Sequence, residues 1–293
     1  MKATLALWKR EYLEHRGAFL YAPAALLALF SIAVFGTLAS NRWQAQGEFV
    51  FTTTLKAYEV SLFVAAGLWW LYLMAALFFY FADAFSADGR NNAMLFWKSM
   101  PLSDLRILGT KFLAGLLVFP TLILAFGAAT GLLLYLAITL AATVMPGLLL
   151  SGPADMLAAF GRIGLFALVS LGLSLLWFAP FYAWLGALST VFRRWCMPLA
   201  FLIPGVLILF ENLLVRGGPP GGYLGSFLRE RLQFGFHGNE LQIVLFSDRP
   251  VDTMPLIATL VAGIDWLQLG LGLVVAALLV FLASVYRRRV LEK

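Results

Sequence analysis

Long uncharged apolar runs, parted by short polar joints, organise this chain. A membrane-crossing helix needs about 20 consecutive apolar residues, because a helix rises about 1.5 Å per residue and the hydrocarbon core is about 30 Å thick. Residues 18–40 and 60–82 each supply 23 positions without a charge. Residues 112–144 are apolar for 33 positions, which predicts a span over 112–138 and then an interfacial stretch ending at Met145, Pro146 and Gly147. Residues 163–192 run uncharged through Pro180, where a kink is expected. Residues 197–215 form a shorter run carrying Glu211, and 266–286 form the last. The pattern predicts an all-α polytopic membrane protein, a single transmembrane domain of six helices. Solid runs of this kind are unlike the short alternating segments of a β-barrel.

The pieces between the runs carry their own patterns. In residues 1–16, Leu5, Trp8 and Tyr12 recur at i, i+3 and i+7, while Lys9, Arg10, Glu14 and Arg16 lie mostly off that stripe. Arg10 and Glu14 are spaced for an i,i+4 ion pair. This predicts an amphipathic interfacial helix, with its apolar face toward lipid. A plain membrane anchor is the simple reading, and a docking element for a soluble partner is compatible with it. The run at 18–40 is too long for a signal-peptide core, so it reads as a retained first span.

The joint at 83–111 is the most unusual. Asp88 and Gly89 read as a turn. Ala93–Met100 has room for two helical turns presenting Leu95, Phe96, Trp97 and Met100, and Pro101 ends them. Ser103 suits an N-cap for the next helix, with Asp104 in its first turn. Such an aromatic turn could simply lie in the lipid interface. Asp88, Arg90, Asn91, Asn92 and Lys98 around it instead suit a polar rim about an apolar plug, as on protein-binding surfaces. The segment 216–265 begins with a Gly-Pro linker at 217–222. A helix is expected over 223–236, a short strand over 242–246, and an interfacial or re-entrant stretch over 255–264, where 10 apolar residues cannot cross.

Composition changes the picture by exclusion. With 62% apolar and 12% charged residues, the chain lacks the charge to cover a water-facing surface, which rules out a soluble enzyme and disorder. The net charge of +6 would suit nucleic acid, but position explains it otherwise. With the N-terminus inside, fourteen of the 21 basic residues fall on the inner side, and Arg193, Arg194 and Arg287–Arg289 sit tight against span ends. Both termini are expected in the cytoplasm, with no nucleic-acid partner. The single cysteine, Cys196, cannot close an intrachain disulfide.

Candidate chemistry is sparse. No phosphate-cradling G-x-x-x-x-G-K-[ST] loop occurs, so ATP hydrolysis is not expected in this chain. Two histidines, His15 and His237, fall on opposite sides, and no zinc or nucleophile motif appears; no catalytic or metal site is expected. Glu211 and Asn212 near the outer end of the fifth span are candidates for a substrate path. The plain alternative puts Glu211 at headgroup level or beside Arg216. Trp69, Trp70 and Tyr72 near the middle of the second span are core by default and a cavity wall in the sharper reading. Gly127–Gly131 is a small-xxx-small face suited to close helix approach.

The ordered layout resembles the membrane subunit (permease) of ABC-2-type transporters. The resemblance rests on the N-terminal helix with Trp8, Lys9, Arg10, Glu11 and Tyr12, on six spans with both termini inside, and on the junction Lys98–Ser103 followed by Leu108–Lys111. A partly re-entrant segment before the last span is also similar. What the resemblance implies is a bacterial inner-membrane exporter that works as a pair of permeases, with a second copy or a sister chain. Separate ABC ATPase subunits would bind ATP and Mg and dock beneath. The first cytoplasmic loop would be the coupling helix, mapping to Asp88, Arg90, Asn91, Asn92, Leu95, Phe96, Trp97, Lys98, Met100 and Pro101. The helix bearing Leu5, Trp8, Arg10 and Tyr12 would add a contact, and Trp69, Tyr72, Glu211 and Asn212 would lie toward the path. Two alternatives stay open: an ATPase-linked complex doing mechanical or sensory work at the outer face, and an intramembrane lipid-processing enzyme, for which clustered acid, base or metal groups are missing.

Overall fold

In hydrocarbon every backbone N–H and C=O must find its partner within the segment, so apolar runs of this length become helices. The computed structural model describes residues 2–40, 53–87, 103–144, 149–214, 222–235 and 249–291. Those residues form α1 (Lys2–Arg16), α2 (Ala22–Ala39), α3 (Thr54–Ala84), α4 (Asp104–Leu113), α5 (Phe119–Val144), α6 (Pro153–Phe192), α7 (Cys196–Leu214), α8 (Gly222–Leu232), α9 (Thr253–Ala262) and α10 (Trp266–Leu291). Among the described residues there is no strand beyond one isolated bridge, Thr53 to Leu149. Five helical runs are long and apolar enough to cross a membrane: Thr4–Ala39, Thr54–Ala84, Asp104–Thr143, Pro153–Leu214 and Trp266–Arg289. The chain is a membrane-embedded helical protein.

The run from Pro153 to Leu214 is not one rod. Trp184 Nε1 donates to Ala200 O at 3.4 Å, although residues 16 apart in a straight helix would stand about 24 Å from each other. The chain reverses at Arg193, whose φ of 47° and ψ of −104° lie where L-residues are strained, and passes through a 3-10 turn, Arg193–Trp195. α6 and α7 are therefore a hairpin. Two other runs contain π turns in place of clean joints. Gly17–Tyr21 links α1 to α2, and Ala114–Val118 links α4 to α5.

α6 is the centre of the bundle, in contact with α3, α7, α9 and α10. It runs parallel to α3: Ser151 N donates to Thr54 Oγ1 at 2.8 Å, Trp70 Nε1 to Ser174 Oγ at 2.9 Å, and the rings of Phe81 and Tyr182 stack at 5.1 Å. The α1–α2 and α4–α5 rods are also parallel, joined from Trp8–Thr110 to the stacked pair Phe19–Phe119. The principal core holds Phe19, Leu73, Leu77, Phe81, Phe85 and Phe119 among its buried residues.

Several expectations shift. α1 does not stand apart from the first span: it continues into it, and its buried face is Leu7, Glu11 and Phe19, one residue every helical turn or two. Leu5 points outward at 61% exposure, while Trp8, Arg10 and Tyr12 are half-buried, so the expected stripe divides. α5 continues to Val144, past the expected stop near 138. α6 begins ten residues before 163 and is 40 residues long, about 60 Å, twice the hydrocarbon thickness. The 255–264 stretch is helical, as α9. The expected strand over 242–246 and the aromatic turn over 93–100 lie outside the described residues.

Candidate functional site

Two buried charge clusters mark opposite ends of the bundle, with an open cleft between them. At the first end, Glu11 of α1 is 3% exposed. Its carboxylate pairs with Lys111 Nζ at 3.1 Å and accepts from Tyr80 OH at 3.1 Å. Lys111 Nζ also donates to Ala84 O at 2.9 Å, and Tyr80 OH lies 2.9 Å from Lys111 O. One ammonium thus ties the first helix, the last turn of α3 and the base of α4–α5. Burying a lone charge costs several kcal/mol, so the pairing is what allows both groups to sit inside. Trp8 Nε1 donates to Thr110 O at 3.2 Å, and the ring of His15 meets Tyr80 edge-on at 4.8 Å. Arg287 near the end of α10, 2% exposed, pairs with Asp104 at 3.1 Å. Ser103 caps α4 as its position suggested, accepting from Arg106 N at 3.3 Å.

This arrangement brackets the segment 88–102. The chain leaves α3 beside Ala84, held by Lys111, and returns at Ser103 and Asp104, held by Arg287. The expected coupling residues, Asp88, Arg90, Asn91, Asn92, Leu95, Phe96, Trp97, Lys98, Met100 and Pro101, lie outside the described residues. On α1, Arg10 and Glu14 make the expected surface pair at 2.9 Å. Glu11, Glu14 and His15 bring one donor atom each within 4.8 Å of one another, but Glu11 is already committed to Lys111 and Tyr80.

The second end is built around Glu59, which is fully buried. Its two oxygens accept from Val251 N at 3.0 Å each, and Lys56 Nζ and Arg162 Nη2 approach at 3.9 and 3.4 Å. Lys56 Nζ donates to Arg249 O at 3.0 Å, and Thr253 Oγ1 to Arg162 O at 3.2 Å. The start of α9 is thereby stapled to α3 and α6.

A second staple holds α8. Arg231, 2% exposed, lays its guanidinium over the Trp177 ring at 4.2 Å and donates to Gln268 O at 2.8 Å and Trp177 O at 3.1 Å. Trp177 Nε1 returns a bond to Arg231 O at 2.7 Å. Burial pulls the guanidinium pKa down from its ordinary value, and Asp265 raises it in part. Gly272 lets this arginine in, because a Cβ there would run into Arg231 Nη2.

The expected path residues do not converge. Trp69 faces the cleft between α3, α5 and α6, with Nε1 bonded to Thr130 Oγ1 at 2.9 Å. Tyr72 turns away and donates its hydroxyl to Ala18 O. Glu211 caps α8, accepting from Tyr223 N at 2.6 Å and Leu224 N at 2.9 Å. Gly222 makes this possible: its φ of 74° favours glycine, and a Cβ would press on the Glu211 carboxylate at 2.7 Å. Asn212 is exposed. Close helix approach holds at Gly131, where a Cβ would meet Phe160 at 2.6 Å, while Gly127 lines the cleft.

Glu59, Lys56, Arg162 and Arg231 were not singled out by sequence as a site. The available signal was a carboxylate directly abutting an apolar run, where an unpaired charge is costly. Compared with known proteins, the chain matches no family model, no curated protein and no solved structure.

Proposed function

We propose that this chain is the transmembrane subunit of an ATP-driven exporter of the ABC-2 type. It crosses the bacterial inner membrane six times, with the Glu11 end and both termini in the cytosol. Two such subunits, identical or sister chains, enclose the path, and separate ABC ATPase subunits bind ATP and Mg beneath them. The observation that carries the reading is the Lys111 node. Both ends of the segment 88–102 are moored to helices that this ammonium and the Arg287–Asp104 pair hold together. Glu11 and Lys111, which meet at that node, also belong to the two motifs on which the family resemblance rests. The reversal between α6 and α7 supports counting them as two crossings.

The mechanism follows from mooring. ATP closes the ATPase pair, which drags the 88–102 segment. Because that segment is tied to α1, α3, α4 and α10, its displacement moves whole helices instead of bending a loop. The helices reopen on hydrolysis and release.

The test is Trp97→Ala in the full chain, co-expressed with a Walker-motif ATPase where an adjacent reading frame encodes one. Membrane insertion should be normal, while ATPase co-purification and transport-linked ATP turnover fall. Normal co-purification with normal turnover overturns the reading, as does labelling of Ser99→Cys from outside intact cells. A second reading, mechanical work at the outer face, draws on the length of α6, about 60 Å. It separates from export by whether a membrane-permeant solute or an outer-face macromolecule stimulates ATP turnover.

A further inference from the structure

The cleft between α3, α5 and α6 has a volume of about 660 Å³. Its walls include Leu62, Phe63, Trp70, Ile123, Ile163 and Phe166, and Phe234 and Leu260 from the 222–265 segment also face it. At about 30 Å³ each, roughly 20 waters would be needed to fill it, and each ordered water wants two to four polar partners. The walls offer almost none. Trp69 Nε1 is committed to Thr130 Oγ1 and Trp70 Nε1 to Ser174 Oγ, both at 2.9 Å. Water therefore does not fill this space, and its occupant is apolar.

The cleft is also open sideways. Gly67 and Gly164, which line it, are exposed, and a Cβ on either would meet nothing within 4 Å. Val64 and Leu168 in its walls are more than half exposed, on helices that pass through hydrocarbon.

We propose that this cleft binds the acyl chain of a membrane lipid, entering sideways from the bilayer. The inference does not depend on the coupling reading. A phospholipid ester and a free fatty acid share this chemistry, and the test distinguishes them.

The full-length protein in lipid nanodiscs is irradiated with a phosphatidylethanolamine bearing a diazirine acyl chain, and in parallel with a diazirine fatty acid. Label should concentrate on peptides covering 62–73 and 163–171, above that on the lipid-facing Leu271 and Val274 of α10. Label from one probe alone identifies the source as phospholipid or free acid; either supports an acyl-chain site. Gly67→Leu with Gly164→Leu, which fills the cleft, should cut cleft labelling about tenfold, a loss of about 1.4 kcal/mol of fit, and leave α10 labelling unchanged. Cleft labelling no higher than that of α10 in the unaltered protein overturns the proposal without reference to any variant. So does undiminished labelling in the filled variant.

Discussion

The Glu11 and Glu59 ends of the bundle solve one problem in two ways. Each buries a glutamate almost completely, at 3% and 0% exposure. Glu11 meets a single lysine at 3.1 Å and a tyrosine hydroxyl, a compact neutral unit whose members belong to different long helices. Glu59 faces two cations at longer range, 3.4 and 3.9 Å, and its tightest bonds, at 3.0 Å, come from one backbone amide, Val251 N. The first cluster welds rods to rods. The second pins a connecting segment onto rods. A buried carboxylate is thus no single kind of evidence: what it is bonded to decides whether it joins long helices to one another or holds a connecting segment against them.

The sharpest challenge to this contrast is Glu59→Ala. It leaves Lys56 and Arg162 facing each other, and the amide of Val251 unpaired. The expected loss is about 3–5 kcal/mol, read as a lowered thermal midpoint in detergent. A loss under about 1 kcal/mol would place the site among ordinary surface pairs and end the comparison.

Paired replacements come next. Lys111→Met alone should cost about 3 kcal/mol or more by stranding Glu11, while adding Glu11→Gln should recover most of it, because a buried pair can be replaced whole. The equivalent pair at the other end, Glu59→Gln with Arg162→Met, should recover little, since Lys56 keeps its buried charge. Equal recovery at both ends, measured by double-mutant cycles, would show that the clusters are alike.

Arg231→Lys asks whether the 222–265 segment is held twice. A lysine cannot span the carbonyls of Gln268 and Trp177 together, so the loss should be about 1.5–3 kcal/mol, seen as faster amide exchange across α8. Unchanged exchange would leave Glu59 as the main staple. The smallest expected effects are at the caps. Ser103→Ala at one end and Thr53→Ala at the other should each cost about 1 kcal/mol, because each side chain accepts from the amide three residues on, at 3.3 Å. A large difference between them would mean that helix starts, and not the glutamates, distinguish the two ends.

How far these features were legible in the sequence follows the range of the interactions. The long apolar runs, the Ser103 cap and the Arg10–Glu14 pair are local, and all three could be read directly. Glu59 could not, because its partners Arg162 and Val251 lie 103 and 192 residues away. The early start of α6 was hidden because Asp155 and Arg162 interrupt the uncharged run, yet Arg162 finds Glu59 and the helix simply continues. Glu211 read as a path residue because a charge in an apolar run draws attention. Its partners at Tyr223 and Leu224 lie across a Gly-Pro stretch that propensity cannot fold. The cleft was half legible: Trp69 reads as core by default and as a cavity wall only in the sharper reading, while Gly67, Gly164 and Ser170 carry no pattern that separates a void from a packed face.

The two π turns carry a consequence of their own. Each wide turn, at Gly17–Tyr21 and Ala114–Val118, inserts an extra residue and so shifts the azimuth of everything above it by about 100° relative to everything below. Two neighbouring parallel rods make this shift at matching heights, where Phe19 stacks on Phe119. Their polar lower stems and greasy upper stems can therefore face the same neighbour, each with its own side of the cylinder. The molecule is geared at that level, like two shafts keyed at one collar.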